Sequence, residues 1–256
     1  MSGLPPLLEV AGPVATVTLR RPEVANRLTL EDLATLGAQI AAVDARPEVL
    51  VLVLAGQGRY FCSGFDVGSL GAAGGADAGG SGFERLADAL ARARPVTVAA
   101  LHGGVYGGAT DLALACDFRY GTPRTELRLP AARLGLHYYR GGLERFVNRL
   151  GLQAARRILL TVETLDAAEL LRIGYLDALV EPADALPARV AQLCATLSSM
   201  APLALLGMKK HLAAIADGRL DAAALRDDIA AAAASQDLQE GVAAARDRRA
   251  PRFGGR

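Results

Sequence analysis

Two glycine-bearing junctions carry the residue types best suited to chemistry. The first, Phe61-Cys62-Ser63-Gly64-Phe65-Asp66, follows an apolar segment, Val49 to Leu54, and a Gly56-Gln57-Gly58-Arg59 turn. The second, His102-Gly103-Gly104-Val105-Tyr106-Gly107-Gly108-Ala109-Thr110-Asp111, follows another apolar segment, Val96 to Leu101, and opens a helical pattern. Paired glycines at a helix start let a ligand approach unpaired backbone N–H groups closely, and the helix dipole favours an anion there. Two strands ending side by side would aim one N–H from each junction at a single oxygen, which is the geometry of an oxyanion hole. The plainer alternative is that the glycines only make tight turns. Asp111 adds a carboxylate to the second junction. Further on, His137-Tyr138-Tyr139-Arg140 gathers an imidazole, two phenols and a guanidinium in front of Gly141-Gly142.

The elements that must position these groups alternate between strand and helix. Val14 to Leu19 reads as a strand, and Thr29 with Asp32 reads as a capping box. The helix it opens carries Leu33, Leu36, Ile40 and Val43 on one stripe. Val49 to Leu54 is apolar throughout, the signature of a strand covered on both faces. From about Arg140 onward the pattern is helical: Gly142 to Leu150, Gln153 to Leu160, Ala167 to Ile173 with Gly174 as a stop, Ala185 to Met200, a helix begun by Pro202, then Leu220 to Ala234 and Leu238 to Arg248. This order predicts an α/β core with a helical C-terminal part. Gly68 to Gly82, almost entirely Gly, Ala and Ser, reads as a mobile loop within one domain.

Composition narrows the function classes. The 256 residues are 52% hydrophobic and 21% charged, with 28 Lys+Arg against 27 Asp+Glu; mean hydropathy is +0.25. That is a globular chain able to bury a large core, and its net charge of +1 does not draw it to nucleic acid or an anionic membrane. Lys209 and Lys210 are the sole lysines, so a P-loop is excluded. Cys62, Cys116 and Cys194 stand far apart, which fits a reducing compartment and core packing, and neither a disulfide framework nor a metal site. No signal peptide or membrane-spanning run is read, so a cytoplasmic location is expected.

Taken together, several segments resemble the crotonase (enoyl-CoA hydratase/isomerase) superfamily over nearly the whole chain. They are Arg21 to Asn26, Gly58 to Asp66, His102 to Asp117, Pro130 to Gly135 before Gly141-Gly142, and Asp237 to Phe253. The resemblance implies a spiral of ββα turns, here residues 1–195, and a C-terminal helical region, residues 196–256, packed at a trimer interface. It implies an acyl-CoA thioester as ligand, with coenzyme A arriving as part of the substrate and no separate cofactor, and a homo-oligomer that is a trimer or a dimer of trimers. The backbone N–H groups of Phe65 and Gly108 would bind the thioester oxygen. Phe61, Ser63, Asp66 and Val67 would line the adenine and pantetheine channel, with Gly107 beside them, and the Gly68 to Gly82 loop would border the acyl pocket. Phe253 would reach a neighbouring subunit's CoA, and Lys209 or Arg27 would meet CoA phosphates or simply be solvated.

The sequence departs from the family at its acid–base pair. Hydratases of the family use two glutamates; the first position holds Asp111, shorter by roughly 1.5 Å, and the second holds Ala131. Alanine neither holds a proton nor orients water. Leu134 to Tyr138 is similar to methylmalonyl-CoA decarboxylase-like members, which carry a tyrosine at the Tyr138 position. Asp111 and Tyr138 are therefore the expected catalytic residues, and His137 and Arg140 the expected contacts to the acyl end. Three readings follow: enolate chemistry by isomerisation or decarboxylation; hydration with Asp111 replacing the glutamate pair; or acyl-CoA binding without catalysis. His102 is expected to be structural and His211 to lie on the surface.

Overall fold

The two apolar segments lie next to each other at the centre of one sheet. The structure is a computed structural model that describes residues 3–66 and 76–256. Strands β1 (Leu4–Ala11), β2 (Val14–Arg20), β3 (Val51–Gly56), β4 (Val96–Leu101), β6 (Phe118–Gly121) and β9 (Ala178–Leu179) form a six-stranded sheet in the order β1-β2-β3-β4-β6-β9. β1 pairs antiparallel with β2, and the remaining pairs are parallel. A smaller sheet joins β5 (Val105–Tyr106), β7 (Glu126–Arg128) and β8 (Leu165–Asp166).

β3 shows why an unbroken apolar run forms a strand here. Leu52 and Leu54 enter one core cluster, while Val51 and Val53 enter a second on the other face. Side chains alternate across a strand, so both faces must be covered when every residue is apolar. The first cluster is shared with helices α1 (Leu30–Asp44), α2 (Ala76–Arg92), α3 (Ala109–Ala115) and α4 (Arg140–Arg156). The second is covered by α6 (Leu186–Ser198), which buries Leu186, Val190, Cys194 and Leu197 at helical spacing. Helix α5 (Ala167–Arg172) lies between them in sequence, and α7 (Pro202–Ala216), α8 (Ala222–Ala233) and α9 (Gln236–Asp247) follow. No described helix is long and apolar enough to cross a membrane.

Several elements follow their expectations closely. The Thr29 side chain accepts from Asp32 N–H and Asp32 reaches back to the Thr29 backbone, completing the capping box of α1. Gly151, at φ +78°, breaks α4 where the sequence places a gap between two helices. Cys62, Cys116 and Cys194 are all free and buried. Other elements differ. The boundary expected at residue 195 falls inside the unbroken helix α6. Of the Gly68–Gly82 loop, residues 68–75 lie outside the described residues, and from Ala76 the chain is helical. The helix is set by Phe83, Leu86, Ala87 and Leu90, an apolar stripe that packs into the core, and the glycines upstream are carried along. His211 is buried rather than on the surface, because its Nε2 meets Asp228 Oδ2 at 2.8 Å and ties α7 to α8.

Candidate active site

The two glycine junctions touch. Cys62 bridges to Val105, and Tyr106 N–H donates to Cys62 O at 2.9 Å. Gly64 then passes so close to the second junction that a Cβ on it would stand 2.7 Å from Tyr106 O and 2.9 Å from Gly108 N. With φ at +85°, Gly64 is a position only glycine fills without strain. Leu28 N–H donates to Gly64 O and Asp66 N–H donates to Leu28 O, so the peptide groups on either side of Phe65 turn toward Leu28. Phe65's own N–H points to the other side of the segment. Neither this N–H nor that of Gly108, the residue before α3, donates to any acceptor among the described residues. Both residues are half-buried and Gly64 brings their segments together, so the two open donors are candidates to share one oxygen.

The scaffold under the pair is rigid. Asn26, 1% exposed, donates from Nδ2 to the carbonyls of Gln57, Tyr60 and Phe61 and accepts Arg21 N–H at Oδ1. The Cys62 thiol donates to Asn26 O at 3.1 Å and accepts from Gly64 N–H at 3.4 Å. Burial pushes that thiol up to about 12, so it stays protonated as a spacer. Helix α3 is pinned by Tyr175, whose hydroxyl donates to Thr110 O at 2.8 Å. At its far end Arg149 donates to Leu114 O and Cys116 O, and Arg119 donates to Cys116 O, satisfying carbonyls that the helix leaves open. α3 has seven residues, so the two N–H groups, more than any dipole, define the site.

Asp111 is not a free carboxylate. It is fully buried, and Arg145 donates to both of its oxygens: Nε to Oδ1 at 2.9 Å and Nη2 to Oδ2 at 2.7 Å. Tyr139 donates its hydroxyl to Oδ2 at 2.8 Å. The third nitrogen of Arg145 meets Asp88 Oδ1 at 2.6 Å. Burial disfavours the Arg145 charge, but hydrogen bonds and charges from Asp111 and Asp88 outweigh it and its pKa is raised. The result is a planar clamp, Asp88–Arg145–Asp111, closed by Tyr139.

Tyr138 stacks on Tyr139 with ring centroids 4.6 Å apart and meets Phe146 edge-on at 6.0 Å. Gly142 admits both rings: a Cβ there would clash outright with Tyr138 and stand 2.8 Å from Tyr139. The Tyr138 hydroxyl is buried and makes no hydrogen bond among the described residues. Burial first, then the negative charge of Asp111, raises its pKa, so the phenol keeps its proton.

The remaining expected site residues are scattered. Phe61 is entirely buried and packs in the core, so its side chain lines no channel. Ser63 is half-buried, with Ser63 O near the Gly107 turn, and Gly107 takes φ +55°. Asp66 is half-buried and pairs with Arg27 at 3.3 Å, which engages that arginine. Val67 lies outside the described residues. His137 is exposed, its Nδ1 2.8 Å from Tyr138 O. Arg140 is exposed and pairs with Glu144 one helical turn away. Lys209 is drawn inward to Asp117 at 2.7 Å, not outward to a phosphate. Ala131, at the second glutamate position, packs half-buried against the core.

Arg145 and Asp88 are not among the residues singled out from the sequence, and Tyr139 is read there only as a member of the His137 to Arg140 cluster. One signal pointed to them. Asp111 sits in Ala109-Thr110-Asp111-Leu112-Ala113-Leu114-Ala115, which the structure buries completely, and a buried acid requires a cationic or donor partner.

Comparisons with known proteins place the chain in a family. Residues 9–256 match the family model described as "Enoyl-CoA hydratase/isomerase". The chain belongs to the enoyl-CoA hydratase/isomerase family. Among curated relatives, it is 29% identical over 242 residues to the Mycobacterium bovis protein named "Probable enoyl-CoA hydratase echA8", covering 94% of each chain. It is 28% identical to the peroxisomal Delta(3,5)-Delta(2,4)-dienoyl-CoA isomerase of Arabidopsis thaliana, covering 92% of this chain and 90% of that one. A solved enoyl-CoA hydratase/carnithine racemase from Magnetospirillum magneticum superposes with a TM-score of 0.92 at 28% identity, over 98% of this chain and 96% of the other. The crotonase fold and membership of an acyl-CoA enzyme family follow.

Proposed function

We propose that this enzyme binds an acyl-CoA thioester with its carbonyl oxygen on the N–H groups of Phe65 and Gly108, and stabilises the thioester enolate. Its reaction is isomerisation or decarboxylation in preference to water addition, and decarboxylation fits the site better. The observation that carries this reading is the closure of Asp111. Water addition needs groups that take a proton from water and return one to Cα. Here one glutamate position is Ala131, and the other is a carboxylate with both oxygens engaged by Arg145 and Tyr139.

Decarboxylation of a 2-carboxyacyl thioester needs no base in its bond-breaking step. The bond from Cα to the carboxylate breaks, CO2 leaves, and its electron pair moves through Cα to the thioester oxygen. Two preorganised donors stabilise that oxyanion; losing one such donor costs about 10²- to 10³-fold in kcat. A proton must then reach Cα. Tyr138 holds a buried, protonated phenol near Thr110, Tyr139 and Asp111, and it is the group we assign to that step. CoA enters as part of the substrate and is the one cofactor-like group the mechanism needs.

A second reading, hydration, draws on the relatives' names. Mass-spectrometric turnover of crotonyl-, 3-enoyl- and methylmalonyl-CoA, with calorimetric binding in parallel, separates the readings. CO2 release or double-bond migration without hydration supports enolate chemistry. Rapid hydration of crotonyl-CoA, abolished by Asp111→Ala, overturns it. Tight binding without turnover of any of these favours an acyl-CoA-binding protein. Exposed apolar side chains on α7, α8 and α9, including Met208, Leu212, Ile229 and Val242, support a homo-oligomer, with a trimer or dimer of trimers the form we expect by light scattering.

A further inference from the structure

The same aromatic ring lies against both members of the open N–H pair. A Cβ at Gly108 would stand 2.8 Å from Cδ1 and Cε1 of Phe83 and 3.1 Å from its Cγ, so the ring rests on the Gly108 backbone. Phe83 also meets the Phe65 ring edge-on, with centroids 6.1 Å apart and planes at 87°. Phe83 is 2% exposed, and the next turns of α2 bury Leu86, Ala87 and Leu90 in the main core. Next to it on α2, Gly82 lies close enough to α1 that a Cβ would stand 3.0 Å from Leu33 Cδ1. The ring therefore cannot swing away without unpacking α2 from α1 and the sheet.

We propose that Phe83, braced by Phe65, is a specificity-determining residue that closes the acyl side of the N–H pair and restricts the enzyme to short acyl groups. The proposal rests on the reading that the thioester oxygen binds at Phe65 and Gly108. An acyl chain starts from the carbon bearing that oxygen, so its first carbons lie beside the two donors. A ring in contact with the Gly108 backbone and with the Phe65 side chain occupies the space a longer chain would take next to them. A short apolar group packs against the ring edge; a long one must displace a core side chain.

Isothermal calorimetry with acetyl-, butyryl-, hexanoyl-, octanoyl- and decanoyl-CoA tests this on the wild type, Phe83→Ala and Phe83→Leu. Thermal melting checks that each variant is folded, and the leucine variant serves if the alanine variant is not. The wild type is expected to bind butyryl-CoA at least about tenfold more tightly than octanoyl-CoA. Truncating Phe83 moves the optimum to longer chains, tightening binding by about fourfold for each methylene the new space accepts, with leucine intermediate. Wild-type affinity that rises steadily through decanoyl-CoA overturns the proposal, as does an unchanged chain-length profile in both variants. S-butyl-CoA, a thioether without the carbonyl oxygen, isolates the underlying reading. It is expected to bind the wild type more weakly than butyryl-CoA. Equal binding of the two removes the oxyanion site, and the proposal with it, whatever the chain-length profile.

Discussion

Removing Asp111 separates a structural clamp from an acid–base group, because the two roles predict opposite pairings of stability and activity. Asp111 is wholly buried and the Arg145 side chain is 11% exposed. Breaking a buried ion pair from one side costs about 3–5 kcal/mol, because it leaves the other charge uncompensated. Asp111→Ala should fall near the lower end, about 3 kcal/mol, since Arg145 keeps Asp88 at 2.6 Å. Arg145→Leu should fall near the upper end, about 5 kcal/mol, since it leaves the carboxylate with the Tyr139 hydroxyl alone. For a chain of this size about 2–4 °C of melting temperature accompanies each kcal/mol, so Asp111→Ala should melt about 6–12 °C below the wild type. In the double variant no charge is stranded at Asp111, and its loss should be smaller than the sum of the single losses by about 2–3 kcal/mol. Urea unfolding followed by circular dichroism gives the cycle, and turnover on the best substrate gives the activity. If Asp111→Ala melts within about 2 °C of the wild type while losing activity about 100-fold or more, the carboxylate is catalytic and the clamp argument fails.

Three further outcomes follow from the same structure. Gly64→Ala places a methyl 2.7 Å from Tyr106 O at a φ of +85°, so the two open N–H groups separate and kcat should fall by about 10²-fold or more; steady-state kinetics with unchanged turnover would show that the pair is not the oxyanion site. Arg140→Ala removes an exposed side chain paired only with Glu144 among the described residues, so stability should change by less than about 0.5 kcal/mol and KM should stay at the wild-type value; a large rise in KM would restore Arg140 as a substrate contact. Glu240 is held down to about 2, first by its hydrogen bond from Arg249 and then by the Arg252 N–H. A carboxylate whose pKa is depressed on folding contributes stability that is present above its unfolded pKa and lost as pH falls through the folded one. The anchoring of Arg249 and Arg252 by Glu240 should therefore weaken as pH drops from about 4.5 toward about 2, readable as the carboxyl NMR titration of Glu240; a midpoint near the ordinary glutamate value would contradict the pairing.

The parts of the fold legible in the sequence are those in which one residue pattern answers to one environment. The all-apolar run of β3 is read correctly because each of its faces meets a core. Thr29 and Asp32 are read as a cap because the capping box is local. β1 is not read, since Pro5 and Pro6 argue against a strand; the sheet accepts them there because β1 is an edge strand with one paired neighbour. The two-residue strands β5, β8 and β9 leave no periodicity to detect. Their position comes from tertiary pairing alone. The meeting of the two glycine junctions is legible for the opposite reason: glycines at sharp turns mark where the chain must pass close to itself, and Gly64 against Gly108 is such a place.

Side-chain roles are harder to read, because they depend on which charges meet in three dimensions. His137, Tyr138 and Arg140 are sequence neighbours, which suggests one polar cluster, yet the start of α4 turns them apart: His137 and Arg140 are exposed and Tyr138 packs inward. The partner that decides the state of Asp111 lies 34 residues away on the inner side of α4, and its second anchor, Asp88, lies 57 residues from Arg145 on α2. Clamping a carboxylate from two helices has a chemical consequence beyond stability. An aspartate at the position of a catalytic glutamate looks like a shortened version of the same acid. Here Arg145 holds both carboxylate oxygens and the Tyr139 hydroxyl donates to one of them. The substitution to aspartate and the alanine at position 131 then act in one direction. Under the proposed function, both take proton-transfer capacity away from the reaction, while the two backbone donors assigned to the enolate oxygen stay in place. On that proposal the site favours reactions whose first step needs charge stabilisation on oxygen and no base, and this is the reason we propose loss of CO2 over addition of water.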